Sequence, residues 1–353
     1  MAAGRRSSLG KKRINLALQG GGAHGAFTWG VLDRLLQEDD LEIAAISGTS
    51  AGALNGAALK AGMVTGGPQA ARENLDWLWE QVGALTDPGI AAWLSMMAPS
   101  ASVSSKMIES AMPFSMLDAT TRMFSPYVYG PFYQNPVRRL AERFDYEKVC
   151  GELGPDFYVG ATNVRTGQIR MFTGREISTE VLMASACLPN MYQAVEFEDP
   201  KTKTIEAFWD GGYTGNPALY PLFEPQYPND IVVVNINPLI RNSVPTTPQE
   251  IQNRINEISF NSSLLRELRA IRFVHRLLAD GRLPKDAMKD VFVHMIADDD
   301  LMNDLSSATK VTPNPVILQQ LKQAGQRAAA KFLEDHKPSL NVAGTVNLED
   351  MLG

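Results

Sequence analysis

The chain opens with two apolar runs, each closed by small residues and each followed by a stretch of helical periodicity. Ile14 to Leu18 reads as a buried strand that ends in Gln19-Gly20-Gly21-Gly22. From Gly25 to Gln37 the apolar positions Phe27, Val31, Leu32, Leu35 and Leu36 recur at helical spacing. Ile43 to Ile46 predicts a second buried strand, closed by Ser47-Gly48-Thr49-Ser50, and Ala51 to Ala61 an Ala-rich helix. Two β-turn-α units in succession predict an α/β fold with a mainly parallel sheet, because parallel strands need crossover helices that cover both faces. Further strands are predicted at Asp156 to Ala161, Gln168 to Phe172, Thr204 to Trp209, Ile231 to Ile236 and Val291 to Ile296. Helices are predicted at Pro136 to Arg143, Pro248 to Ala279 and Pro315 to Glu334.

No repeat, low-complexity tract or long linker divides the chain. The expected organisation is a basic lead over 1–13, a catalytic domain over 14–240, and a helical C-terminal part over 241–353 packed on the same domain. Residues 86–133 form an insertion rich in Met, Pro, Ser and aromatics, among them Trp93, Met96, Met97, Met107 and Phe114. Methionine fills irregular apolar space and adapts to varied ligands. The insertion therefore reads either as a helical cap finishing the core or as an apolar wall over an acyl-chain pocket. Neither Ile43 to Leu59 nor Pro88 to Ser105 has the roughly 20 predominantly apolar residues of a spanning helix.

Composition narrows the partners. The chain has 353 residues, 44% hydrophobic and 20% charged, with a net charge of −6, which excludes a disordered chain and argues against nucleic-acid binding by bulk charge. Two cysteines, Cys150 and Cys187, make neither a disulfide framework nor a zinc cluster, and fit a cytoplasmic protein with reduced thiols. Lys11, Lys12 and Arg13 are the candidates for peripheral membrane contact, with a solvated tail as the plainer reading.

Gly20-Gly21-Gly22-Ala23-His24-Gly25 fits G-x-G-x-x-G between a strand and a helix. Such a loop presents backbone N–H groups at the positive end of a helix and stabilises an anion, whether a pyrophosphate or the oxyanion of an acyl transfer. A dinucleotide site wants an acidic residue at the end of the next strand. Here that strand ends in Ser47-Gly48, and Asp39, Asp40 and Glu42 precede it. A dinucleotide-dependent oxidoreductase is thus the weaker reading.

Gly48-Thr49-Ser50-Ala51-Gly52 fits the G-x-S-x-G nucleophile elbow, again between strand and helix. A Ser N-cap is the bland alternative. The two turns together would lie at the carboxyl edge of neighbouring parallel strands, where sites form in such sheets. Ser50 is the candidate nucleophile, and it needs a base. Of the four histidines, His24 is in the glycine loop, His275 reads as surface, His336 lies in a charged stretch, and His294 is within a predicted strand. Asp210 follows Ala207-Phe208-Trp209 and precedes Gly211-Gly212. Its apolar lead would desolvate the carboxylate and raise its basicity, although Asp-Gly also marks ordinary turns. On the residues alone, Asp210 and then His294 stand as candidate bases.

Together these residues resemble the patatin-like phospholipase family. The resemblance covers roughly Ile14 to Ile236 and is carried by Gly20 to Gly25, Gly48 to Gly52, Ala184-Ser185-Ala186-Cys187-Leu188-Pro189 and Asp210-Gly211-Gly212. It implies a three-layer α/β/α sandwich and calcium-independent hydrolysis of lipid acyl esters, with no metal or organic cofactor. It also implies a Ser50–Asp210 dyad without histidine and an oxyanion loop over Gly20, Gly21, Gly22 and Gly25, with the Gly21 and Gly22 amides as main donors. The loop departs from the family pattern at Gln19 and at His24, where Arg or Lys is frequent. An acyltransferase would use the same acyl-enzyme, but malonyl-transferase relatives commonly carry His before the serine, where this chain has Thr49.

Overall fold

Along β1 (Lys12–Leu18) the side chains alternate between two cores: Ile14, Leu16 and Leu18 enter one, and Ala17 the other. The same alternation divides Val232 and Val234 from Ile231 and Val233 on β7 (Asp230–Val234). A strand that is apolar on both faces is satisfied only between two helical layers, as the period-2 geometry requires. The computed structural model describes residues 10–84, 125–128, 133, 135–241, 243–284, 286–305, 309–310 and 313–353, and in them the three-layer α/β/α arrangement is present. One core lies against α1 (Ala26–Leu35), α2 (Ala51–Gly83) and, downstream, Pro315–His336. The other lies against Pro248–Ala279, through Leu264, Leu268 and Ile271, and against Leu348 near the C-terminus.

The remaining strands are β2 (Leu41–Thr49), β3 (Asp156–Asn163), β4 (Ile169–Thr173), β5 (Val195–Glu198), β6 (Ile205–Asp210) and β8 (Phe292–Ile296). Among the described residues the remaining helices, in chain order, are α3 (Val137–Ala141), α4 (Tyr146–Val149), α5 (Thr179–Ser185), α6 (Pro248–Ala279), α7 (Asp299–Asp304), α8 (Pro315–His336) and α9 (Leu348–Leu352). The eight strands make one sheet, in which β3, β2, β1, β7 and β8 run parallel and β4, β5 and β6 add antiparallel pairings.

The register around β3 determines the rest. β4 pairs with Tyr158 to Thr162 along one edge of β3. A strand has two edges, so β2, paired with Asp156 to Gly160, and β6, paired with Ala161 to Asn163, must share the other. β2 is parallel to β3 and β6 antiparallel. The two strands therefore run toward each other along one edge and meet carboxyl end to carboxyl end, with Thr49 opposite Gly160 and Asp210 opposite Ala161.

Several elements differ from expectation. β2 continues through Ser47, Gly48 and Thr49, so the turn begins only at Ser50. The expected helix Ala51 to Ala61 extends to Gly83, broken by non-helical backbone at Gly66 and Gly67 just before Pro68. α5 and β5 are too short to show a period in the sequence. His275 is half-buried rather than a surface group, and its Nε2 lies 2.9 Å from the Val291 carbonyl oxygen. The Met-rich insertion lies outside the described residues except for Ser125–Val128 and Tyr133. Among the described residues, no helix is long and apolar enough to cross a membrane.

Candidate active site

Ser50 adopts φ 55° and ψ −124°, a backbone conformation that residues other than glycine seldom take. The flanking glycines make this turn possible. A Cβ on Gly52 would stand 2.1 Å from the Leu18 carbonyl oxygen, and one on Gly48 2.7 Å from that of Gly52. Ser185 pins the turn. Its Oγ accepts the Ser50 N–H at 2.9 Å and donates to the Gly160 carbonyl at 2.7 Å. Replacing Ser185 with alanine is expected to lower stability by about 1–3 kcal/mol, because the Ser50 amide is left buried and unpaired. Ester turnover should fall with it, and a thermal melt beside initial rates would measure both.

Asp210 ends β6 with a fully buried side chain. Its Oδ1 accepts the Gly212 N–H at 2.8 Å, and its own N–H donates to the Cys187 carbonyl at 2.8 Å. Oδ2 has no hydrogen-bond partner among the described residues. Burial pushes the carboxyl up to about 7, against the Gly212 hydrogen bond and the nearby Ser50 hydroxyl, which both favour its ionised form. Gly211 lets this end of β6 close on β2, since a Cβ there would meet the Gly160 carbonyl oxygen at 2.2 Å and Thr49 Cγ2 at 3.0 Å. A Cβ on Gly212 would crowd Asp210 Oδ1 and the Phe260 ring. Ser50 and Asp210, 160 positions apart in the chain, thus sit beside each other over Gly160.

The glycine loop passes directly under Ser50: a Cβ on Gly20 would lie 2.6 Å from Ser50 Cβ. Gly20 donates its N–H to Asn216 Oδ1 at 2.7 Å and accepts from Asn237 Nδ2 at 2.7 Å. Its amide is therefore engaged, and Gly20 serves close approach rather than donation to a ligand. Gly25 likewise acts through packing, where a Cβ would strike Ala51 Cβ at 2.7 Å. Gly22, at φ 58°, starts the short 3₁₀ turn Gly22–Gly25. The first N–H groups of such a turn have no partner within it, and those of Gly21 and Gly22 have none elsewhere among the described residues.

Gln19 holds the loop in place. Its Oε1 accepts N–H groups from Ile236, at 2.9 Å, and Asn237, at 3.0 Å, and its Nε2 donates to the Asn216 carbonyl and to Asn261 Oδ1. These asparagines were not singled out in the sequence, because their spacing from the loop carries no local signal. His24 is buried, with Nε2 2.7 Å from Thr309 Oγ1. Burial and the neighbouring Lys310 charge hold its imidazole well below 6.5, so the loop carries no fixed positive charge of its own near neutrality. Burial and the Asp210 charge push the Cys187 thiol up to about 12, and burial pushes Tyr133 and Tyr213 there too, so all three stay protonated. Among the described residues, no three His, Cys, Asp or Glu side chains gather to hold a metal ion.

His294 is not beside Ser50. It lies on β8, three inter-strand steps from β2 through β1 and β7, which is roughly 14 Å at about 4.8 Å per step. Its Nε2 lies 3.0 Å from Asp230 Oδ1 and its Nδ1 3.0 Å from Thr345 Oγ1. Burial alone would raise the Asp230 carboxyl, but hydrogen bonds from His294 and Asn341 hold it below the usual range. His294→Ala is expected to cost about 2 kcal/mol of stability, because the buried Asp230 carboxyl loses one of its hydrogen-bond partners and keeps only those from Asn341, with the rate per folded molecule retained. Denaturant melts and active-site titration would separate the two.

A mainly parallel sheet between two helical layers, with a strained serine turn and a glycine loop at the carboxyl ends of neighbouring strands, is the architecture of a patatin-type domain. The family model for patatin-like phospholipase matches residues 16–223, more than half of the chain, and the chain belongs to that family. Among solved structures, it is similar to VipD from Legionella pneumophila, at 14% identity and TM-score 0.42, over 92% of this chain and 67% of that one. It is also similar to ExoU from the type III secretion system of Pseudomonas aeruginosa, solved in complex with SpcU. That likeness has 13% identity and TM-score 0.31, over 92% of this chain, which spans 53% of the length of ExoU. No curated protein sequence matches significantly.

Proposed function

We propose that the chain hydrolyses acyl esters of lipids through a Ser50–Asp210 dyad, with no histidine and no cofactor in the reaction. The observation that carries this reading is the carboxyl-end meeting of β2 and β6, which brings a strained serine to a buried carboxylate with one unpartnered oxygen. Ser50 Oγ bonds to the ester carbonyl carbon as Asp210 takes its proton. The carbonyl electron pair moves onto oxygen, where the Gly21 and Gly22 amides receive it. Loss of one such donor typically costs about 3 kcal/mol of transition-state stabilisation. Collapse expels the alcohol with the proton from Asp210 and leaves an acyl-Ser50 ester. Water then gives its proton to Asp210 as it attacks, and the fatty acid leaves as Ser50 regains the proton. A carboxyl pKa of about 7 suits a base working near neutral pH.

The reading extends to a cytoplasmic protein in peripheral contact with membranes. Its test is acyl release from a panel of phospholipids, lysophospholipids and glycerides, followed by mass spectrometry, with a fluorophosphonate to mark the nucleophile. Free fatty acid together with adduct on Ser50 is the expected result. Transfer of the acyl group to an added alcohol, with little free acid, would assign an acyltransferase instead. An adduct on another residue would refute the dyad.

A further inference from the structure

In a chain of net charge −6, α6 concentrates positive charge on its outer face. Between Ile251 and Ala279 the charges exposed to solvent are arginines, because Glu257 is buried and Glu267 turns inward to accept the Leu219 and Tyr220 amides. At 100° per residue, Arg254, Arg266, Arg269, Arg272 and Arg276 fall in one arc of roughly 120°. Large apolar side chains share that arc and are open to solvent: Ile255 is 53% exposed, Ile258 56% and Phe273 51%. Arg254 is tied to Glu257, and Arg272 reaches Glu349 and the Gly353 carbonyl. Arg266, Arg269 and Arg276 form no ion pair among the described residues.

Arg254, Arg266 and Arg269 also line a cavity of about 430 Å³ together with Leu239, Ile258 and Leu265. Its floor includes Asn261, which accepts a hydrogen bond from Gln19, the residue that anchors the glycine loop. One residue earlier, Phe260 packs on Gly212 and Tyr213. The exposed stripe of α6 and the wall of the active site are thus two faces of one helix, about 48 Å long at 1.5 Å per residue.

We propose that this stripe is the surface by which the protein docks on an anionic lipid bilayer, with α6 in the interfacial plane and the arginine-lined cavity receiving a lipid phosphate. The proposal rests on the lipid-ester reading and adds to it the charge of the membrane and the face that meets it. Interleaved arginine and aliphatic side chains suit that interface, where guanidinium groups pair with headgroup phosphates and the apolar groups enter the acyl boundary. An acidic protein would satisfy the arginines and leave Ile255, Ile258 and Phe273 without a partner.

The test is co-sedimentation with sucrose-loaded vesicles of phosphatidylcholine alone and of phosphatidylcholine with 30% phosphatidylglycerol, in the Ser50→Ala background so that turnover does not alter the lipid. The full chain should bind the anionic vesicles, bind the neutral ones at least tenfold more weakly, and release with salt. Neutralising Arg266, Arg269 and Arg276 to glutamine should weaken binding about fivefold per arginine, about a hundredfold together. Ile255→Ser with Ile258→Ser should weaken it with every charge kept. Neutralising Arg138, Arg139 and Arg143, on the opposite layer, should leave it unchanged, and thermal melts establish that each variant is folded. Equal binding to neutral vesicles or indifference to the α6 arginines would overturn the proposal, as would undiminished binding in the Ile255→Ser, Ile258→Ser variant, the result expected of a surface that pairs through its charges alone. Loss of vesicle binding while fatty acid is still released from mixed micelles would strike only the docking face. Intact binding with no acyl release from any lipid would strike only the catalytic reading.

Discussion

Ser50→Ala is expected to lower lipid ester hydrolysis by a factor of about 10⁴ or more and to abolish fluorophosphonate labelling. The size follows from what is removed. In the proposed reaction serine supplies the oxygen that forms the acyl-enzyme, and water at the same position would have neither the strained turn that aims it nor the carboxylate beside it. Alanine keeps the Cβ, so the backbone strain at φ 55° is unchanged, and thermal stability should stay within about 0.5 kcal/mol of the parent. Ser50→Gly removes the hydroxyl and relieves the strain as well. It should be equally inactive but more stable by about 1 kcal/mol or more. Parallel rates and melts on the two variants check both statements. Undiminished turnover in Ser50→Ala would mean that another residue is the nucleophile.

Asp210→Asn should lower turnover by roughly 10²–10⁴-fold, the usual worth of a positioned general base, and should also change how the protein depends on pH. The folded carboxyl sits at about 7 and the unfolded one near its ordinary value of 3.8. Between those values the folded state binds more protons than the unfolded state. Stability therefore falls as pH rises through that window, and above it the cost of an ionised, buried Asp210 is fully present. Three pKa units correspond to about 4 kcal/mol, an upper figure for a site that can relax. The asparagine variant should thus melt above the parent at pH 8 and close to it at pH 4. Activity runs the other way in the parent, with kcat/KM rising toward a plateau above about pH 7 as the base ionises. A profile flat from pH 5 to 9, or an asparagine variant that melts below the parent at pH 8, would contradict the assignment.

The fold was legible to the extent that its signals are local. The apolar runs Ile14 to Leu18 and Ile231 to Ile236 are buried on both faces of the sheet, as parallel strands must be. The turns after β1 and β2 carry glycine at the positions where a Cβ would collide with the neighbouring backbone. The short α5 and β5 were not legible, having too few residues to show a period. Nor was the continuation of α2 across Gly66 and Gly67, where two glycines and a proline read as an end. In the site, Ser50, Asp210 and the glycine loop each announce themselves within six residues. Ser185, Gln19, Asn216, Asn237 and Asn261 act across 135 or more positions in bonds to Ser50, Gly20 and Gln19. Ser185 and Gln19 stood out only through the motifs that carry the family resemblance, and the three asparagines, which satisfy distant groups, look in the sequence like any other polar residue.

The chain alone determined the strand and helix periods, the two glycine-bounded turns and the hydroxyl and carboxyl groups carried at positions 50 and 210, because hydrophobic alternation and backbone sterics are set by near neighbours. On the residues alone, the family resemblance aside, it left open whether Asp210 or His294 stands by the serine. Only the tertiary structure decided that, through the pairing of β2 and β6 along one edge of β3 and the three strand widths that separate β8 from β2. Strand order depends on the burial summed over the whole sheet, and no stretch of residues short enough to show a pattern contains that sum.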